Sequence, residues 1–284
     1  MVKVVGLIGS PRKLGNSELI VKEISRNIPE KHELVLVNLT KMDLRPCTGC
    51  YQCLFKQGRC SLNDNMSTVI DELSDANGLI LAAPTYFLGP YGIVKVFTDR
   101  ALMFLARMEE FYGKPAVTVT LAGIAGREGY SPMALASAAF CLGFDVKDQG
   151  LVHAALPGEA LLSEKNRSIA AHLGRVLLDP DYVRRPKAHE CNLCSGNAFK
   201  FLNNDEIECL TCHNRGKIKW INETPNLEIT PDSHNILGDL EARLAHRSWL
   251  MGMKDKFKDK KAILKEVSIG YSNEGRWIHK RCED

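Results

Sequence analysis

The chain has 284 residues, 45% of them hydrophobic and 25% charged, enough for one full core with something smaller beside it. Its formal charge of +3 and pI near 8.3 fall well short of the positive bias of a chain devoted to gripping phosphate backbones, so nucleic acid is not the expected partner. No basic segment leads into an apolar run with a cleavage site, and no apolar run approaches the roughly 20 residues that cross a bilayer, so a cytoplasmic chain without membrane contact is expected. In that reducing compartment ten cysteines point to metal or redox chemistry rather than disulfides.

The first half alternates apolar runs with helical patterns. "VKVVGLIG" (Val2 to Gly9) reads as a buried strand, and "NSELIVKEISRNI" as a helix that begins on Asn16, a good capping residue. "HELVLVNL" (His32 to Leu39) is a second strand, and "NMSTVIDELSDA" (Asn65 to Ala76) a helix with Asp64 placed to cap it. Next come "NGLILAAP" (strand), "YGIVKVFTDRALMFLAR" (helix), "KPAVTVTLAG" (strand), "SPMALASAAFCLG" (helix), "FDVKDQGLVHAAL" (strand) and "LLSEKNRSIAAHLGRVLL" (helix). Five strands alternating with five helices predict an α/β fold, a five-stranded parallel sheet with helices on both faces, because each parallel pair needs a crossover. The composition changes at "DPDYVRRPKAHE" (Asp179 to Glu190), which divides the chain into a domain over 1–180, a short cysteine-bearing module over 188–221 and a helical tail over 222–284. Within the tail, "HNILGDLEARLAHRSWLMGMKDKFKDKKAILKEV" is one long helix or two broken near Gly252. Its "KDKFKDKK" reads as a solvated face whose charges support each other.

Three loops follow strand ends, at the carboxyl edge where open α/β sheets bind ligands. "GSPRKLGNS" joins a strand to a helix N-terminus, where free N–H groups and the helix dipole favour an anion; Ser10, Asn16 and Ser17 add neutral donors and Arg12 a charge. Neither the dinucleotide fingerprint nor the P-loop pattern is present, so a phosphate monoester is the expected guest. The plain alternative is a turn that happens to hold common turn residues. "APTYFLGPYG" offers Pro84, Thr85, Tyr86 and Phe87, and "LAGIAGREGY" offers Gly123. One loop for phosphate and two for a flat polar ring describe a mononucleotide site whose ring is planar, as in FMN.

"GSPRKLGNS", "PTYFLGPYGIVKVFTDR" and a cysteine run followed by "DNM" (Asp64 to Met66) resemble the NADPH-dependent FMN reductase branch of the flavodoxin-like fold, and within it the iron–sulfur flavoproteins. The resemblance spans roughly the first two thirds of the chain. It implies FMN held by Ser10, Arg12, Asn16 and Ser17 at the phosphate, by Pro84 to Phe87 along the isoalloxazine and by Gly123 near its pyrimidine end. It also implies a homodimer or homotetramer with the flavin near a subunit interface.

The run "CTGCYQCLFKQGRC" spaces Cys47, Cys50, Cys53 and Cys60 as C-x2-C-x2-C-x6-C, so three thiolates converge from a compact loop and a fourth arrives through Gly58. The resemblance implies a [4Fe-4S] cluster on these four. Zinc on four thiolates, a redox dithiol of Cys50 and Cys53, and a set without any cluster stand beside that reading. A flavin exchanges electrons in pairs or singly and a cubane singly, so the two complement each other. Further on, Cys191, Cys194, Cys209 and Cys212 form C-x2-C-x14-C-x2-C, two pairs suited to a tetrahedral four-sulfur site in a zinc-ribbon-like module. Zinc is favoured and a single iron is the alternative, with Gly196 and Gly216 suiting the knuckle turns. His213 is read as a surface residue, Cys141 as core and Cys282 as a bystander. Asp99 and Arg100 are read as a structural ion pair or cap rather than contacts to a nicotinamide.

Three functions follow from this. The first is an FMN-dependent oxidoreductase, an electron-transfer iron–sulfur flavoprotein that moves electrons between a soluble donor, ferredoxin or NAD(P)H, and an acceptor, with no side chain needed as acid or base. The second is an NAD(P)H-dependent FMN or quinone reductase without a cluster. The third is a flavin-sensing adaptor that uses the ribbon on nucleic acid or protein.

Overall fold

A computed structural model describes residues 1–232, 235–276 and 278; Cys282 and the first residue of the expected tail helix, His234, lie outside the described residues. The strand β1 (Val2–Ile8) is flanked by β2 (His32–Asn38) and β3 (Gly78–Tyr86), with β5 (Pro115–Ala122) and β6 (Asp145–His153) completing a parallel sheet in the order β2-β1-β3-β5-β6. This is the doubly wound, flavodoxin-like order. A two-residue strand β4 (Gly89–Pro90) folds back antiparallel on the end of β3.

The central strands are nearly continuous apolar runs because helices cover both of their faces. On one face α1 (Asn16–Arg26) and α7 (Glu164–Leu177) pack Ile20, Ile24, Leu173 and Leu177 against Val4, Ile80 and Val119. The two helices approach closely at Gly174, where a Cβ would stand 2.4 Å from the Ile24 carbonyl oxygen. On the other face α3 (Met66–Ser74), α4 (Ile93–Thr98), α5 (Leu102–Leu105) and α6 (Ser131–Cys141) bury Leu73, Phe97, Phe104 and Leu135 over Val5, Leu79 and Ala116. Each fully buried side chain of this size contributes about 1.5–3 kcal/mol.

Two expectations change on this frame. Asn16 is not a cap: Gly15 holds that position, and the Asn16 amide turns away to the loop after β6. The single helix expected over 91–107 divides into α4 and α5. Between them the chain tightens to i→i+3 bonds, Ala101 N to Thr98 O and Met103 N to Arg100 O, and Arg100 turns into the interior.

Beyond residue 190 an antiparallel sheet runs β10-β9-β8-β7, from β7 (Phe199–Phe201) and β8 (Glu206–Cys209) to β9 (Arg215–Ile221) and β10 (Thr224–Thr230). The cysteine-bearing module therefore runs on past 221, and its last strand lies in what the sequence suggested was tail. Leu227 and Ile229 of that strand supply part of the module's small core with Ile207, which is why the strand is needed. The tail itself is one helix, α8 (Leu240–Gly270), capped by the Asp239 side chain accepting from Ala242 N at 2.9 Å; Gly252 does not break it. Arg243, buried with no carboxylate partner among the described residues, donates to the carbonyls of Phe140, Leu237 and Gly238, and Arg247 pairs with Glu109 through both terminal guanidinium nitrogens, so α8 is fastened to the first domain. No described helix is long and apolar enough to cross a membrane.

Candidate functional site

All the residues singled out for a mononucleotide except Phe87 line one cavity of about 160 Å³ at the carboxyl edge of the sheet: Ser10, Arg12, Asn16, Ser17, Pro84, Thr85, Tyr86 and Gly123. Ser10 and Ser17 are buried, while Arg12 lies exposed on the rim. The N-cap position of α1 carries no side-chain bond, so its first amides remain available to an anion, and its N-terminal dipole adds to the Arg12 charge. Thr85 donates its hydroxyl to Ser131 at 2.9 Å, which fixes the second loop on the start of α6.

Phe87 stands apart. It sits with Leu88 at the tip of the β3–β4 hairpin, both in left-handed backbone conformation (φ +48° and +67°), and its side chain is fully exposed. Two-residue hairpin loops of this kind favour Asn-Gly, so a bulky apolar pair here stores strain.

The sequence pattern missed the third wall. Leu121, Ala154 and Ala155 also line the cavity, the alanines because the chain leaves β6 after His153 instead of continuing as a strand. Asn16 ties this wall down: its amide nitrogen donates to Leu156 O at 2.9 Å and its oxygen accepts from Ala160 N at 3.2 Å. Glu159 accepts from the amides of Ala155 and Leu156 at 2.6 and 2.7 Å. The one signal available was the "PGE" turn at 157–159.

The first cysteine set leaves the same edge of the sheet through the connection after β2, whose Asn38 and Thr40 side chains both donate to the Ser10 carbonyl. The neck of this loop is closed at its base. Asp43 and Asn65 exchange bonds, Asp43 N to Asn65 Oδ1 at 2.8 Å and Asn65 N to Asp43 O at 2.9 Å. Asp64 accepts from Arg45 N and Met66 N, and it pairs with Arg100, both side chains being almost wholly buried. Arg100 is thus the structural ion pair expected of it, and Asp64 bonds the first amide of α3 while Asn65 holds the cap position. Burial pushes the Asp64 carboxyl up, but the Arg100 and backbone hydrogen bonds outweigh it and hold the group below its usual range.

Within the loop, backbone amides two residues on point at the sulfurs, Gly49 N to Cys47 at 3.4 Å and Leu62 N to Cys60 at 3.5 Å. Cys50 is held below the usual thiol range by the Gln52 amide and then by the Thr48 and Ser61 hydroxyls. Burial pushes Cys53 up to about 11, with the Cys60, Cys47 and Cys50 charges adding to the effect. These four soft donors, met by amide hydrogens, have the character of an iron–sulfur ligand set. They are not drawn together as a single ion requires.

The second set is. Among the described residues, Cys191, Cys194, Cys209 and Cys212 are the one group of three or more potential ligands whose donor atoms all lie within 4.8 Å of one another. The Cys191–Cys212 and Cys194–Cys209 sulfurs are 3.9 and 3.6 Å apart. A tetrahedron with bonds of about 2.3 Å has sulfur separations of roughly 3.8 Å, so this pocket fits one ion and is too tight for a cubane. Hydrogen bonding among the crowded sulfurs raises Cys194 and lowers Cys212, so the four cannot shed their protons together without a cation. The knuckle positions with positive φ are Ser195 and His213, not the glycines. Gly196 serves instead for close approach, since a Cβ there would stand 2.4 Å from Thr211 Oγ1. His213 faces Glu208 and solvent, away from the thiols. Cys141 is partly buried at the end of α6.

Residues 2–155 match the NADPH-dependent FMN reductase family. An iron–sulfur flavoprotein of Methanocaldococcus jannaschii is 36% identical over 35% of this chain and 52% of its own length. One of Clostridioides difficile is 37% identical over 39% of this chain and 50% of its own. The chain thus spans about half the length of the curated relatives it matches. A solved flavone reductase superposes with a TM-score of 0.74 at 15% identity, covering 98% of this chain and all of that one, which shows that the fold, module and tail included, is shared.

Proposed function

The chain belongs to the NADPH-dependent FMN reductase family, and we propose that it is an FMN-dependent oxidoreductase, an electron-transfer iron–sulfur flavoprotein between a soluble donor, ferredoxin or NAD(P)H, and an acceptor. The observation that carries this is the gathering of three loops, far apart in sequence, around one cavity with an anion-accepting helix end. Ser10, Ser17 and Arg12 with the α1 amides would hold the phosphate; Pro84, Thr85 and Tyr86 would flank the ring, and Gly123 would lie near its pyrimidine end. Asn16 positions the wall at Ala154–Ala155 rather than spending its amide on the ligand. Backbone amides around Thr85 and Gly123 would supply hydrogen-bond donors to the ring. Cys47, Cys50, Cys53 and Cys60 would hold an iron–sulfur group, which would supply one-electron chemistry beside the paired or single exchange that FMN would supply in the cavity.

The adaptor reading loses its main support in the module. Arg215, Lys217 and Lys219, the cations that alternate along β9, are each paired, with Glu208, Asp205 and Glu228. Its single ion is read as structural zinc.

Protein purified anaerobically is expected to carry one FMN with about four irons and four acid-labile sulfides per chain, measured by absorption, EPR and metal analysis. Flavin without sulfide would select a cluster-free NAD(P)H reductase, and absence of flavin would overturn the proposal. Arg12→Ala is expected to weaken FMN roughly 10- to 100-fold, the size of one charge-assisted hydrogen bond, while leaving riboflavin affinity unchanged in fluorescence titrations. Equal losses for both ligands would show that Arg12 does not serve the phosphate.

A further inference from the structure

A second and larger cavity, about 700 Å³, lies between the cysteine loop and α8, lined among others by Cys50, Phe55, Lys56, Trp249, Lys254 and Phe257. It is formed across the chain, since α2 (Gln52–Phe55) supplies one wall and the C-terminal helix the other. Its volume is that of a small-molecule site.

The walls are aromatic and unfinished. Trp249 already stacks on His246, ring centroids 5.5 Å apart and planes at 20°, yet the indole is 55% exposed where it lines the cavity. Phe55 and Phe257 remain 42% and 56% exposed. With Tyr51, 48% exposed, four rings stand around one space, each with a large open area, and suit a flat guest that completes the stack. The charge is one-sided: Lys56 and Lys254 line the same space, and the Lys254 ammonium lies 5.0 Å from the Phe55 ring centroid. Among the described residues no carboxylate lines it. Aromatic walls with two ammonium groups select a planar ring that carries negative charge.

We propose that this cavity is a binding site for a planar aromatic anion, such as an aromatic carboxylate, phenolate or sulfonate, seated between the cysteine loop and α8. It is separate from the mononucleotide cavity, and its occupant lies against Cys50, the exposed thiol of the first set that lines it. The site does not depend on the flavin reading.

Isothermal titration calorimetry of the full-length, FMN-loaded protein with naphthalene-2-sulfonate tests it. Saturable one-to-one binding is expected, at least roughly tenfold tighter than that of cyclohexanesulfonate, which has the charge without the plane. Trp249→Ala and the double change Lys56→Glu with Lys254→Glu are each expected to weaken it roughly tenfold, with far-UV circular dichroism unchanged. These side chains are exposed or at the cavity mouth, so the variants are expected to fold; Phe257→Ala gives a second readout on the opposite wall. Arg12→Ala leaves this binding as it is, so loss of the flavin site and loss of this one are told apart. Equal affinity for the two sulfonates, binding indifferent to Trp249 and Phe257, or a dimer of the chain that occupies this face and binds neither sulfonate overturns the proposal.

Discussion

Asp64→Asn is expected to lower the stability of the first domain by about 3–5 kcal/mol, the cost of leaving a buried guanidinium without its counter-charge. Asp64 and Arg100 are both almost wholly buried, and the carboxylate also receives the amides of Arg45 and Met66, on either side of the cysteine loop. One substitution therefore strands Arg100 and, by leaving a single acceptor oxygen for the Arg45 and Met66 amides, weakens the neck that holds Cys47 to Cys60. Urea unfolding measures the first effect and iron content the second. The double variant Asp64→Leu with Arg100→Met separates them. Replacing both charges by apolar groups is expected to recover most of the stability, since a buried pair gains little over good packing, while the neck bonds to Arg45 and Met66 stay lost. If Asp64→Asn costs less than about 1 kcal/mol, the pair does not clamp the neck.

The same group sets an acid dependence. The folded-state Asp64 carboxyl lies below its unfolded value, so its contribution is complete above the ordinary carboxylate range and is lost as pH falls through the depressed folded value. Acid unfolding of the wild type is expected to steepen there, and the double variant is expected to lack that component.

Removing the ion from the second cysteine set is expected to unfold the module over residues 191–230 while the first domain keeps its structure. The module's core consists of Ile207, Leu227 and Ile229 with the cysteines themselves, far too little to offset the conformational entropy of some forty residues. Structural zinc contributes about 10–16 kcal/mol to comparable small folds, more than the module's own small core supplies. Cys212→Ala, or chelation under reducing conditions, is expected to expose this segment to limited proteolysis, with fragments ending between 191 and 230 and flavin binding retained. A chelated module that resists protease would show that its contacts suffice without metal. Those contacts include the Ser137 hydroxyl on the Thr211 carbonyl, the Asn235 amide on the Cys212 carbonyl, and Arg184 bridging Asp148 to Glu190 at the module's edge.

The module and α8 also explain why the tail does not read as an amphipathic helix on its own. Its first turns are held by Arg243 and Arg247, two cations whose partners are backbone carbonyls and Glu109 of the first domain. Farther along, Phe257, Leu264 and Val267 remain exposed among lysines, so no single apolar stripe dominates the helix.

What the sequence determined by itself was local or chemical. The alternation of apolar runs and helical spacing dictated a parallel sheet, since crossover connections impose that rhythm. Thiols at fixed spacing marked two sets of soft donors, and the second is drawn together as a single ion requires, since ligand softness belongs to the residue. Glycine, serine and arginine before a helix start marked a loop that lines a cavity at a helix N-terminus, since helix ends carry unsatisfied amides wherever they occur. The tertiary structure decided everything that needs two distant partners. It turned Asn16 from a cap into a brace across 140 residues of chain, drew Arg100 inward to Asp64 and broke a helix to do so, and added β10 to complete a core too small to close without it. It also laid α8 against the cysteine loop, creating a cavity that neither segment shows alone. Periodicity and donor chemistry are written one residue at a time, whereas a buried charge or half an aromatic stack finds its meaning only in the side chain that the fold sets opposite it.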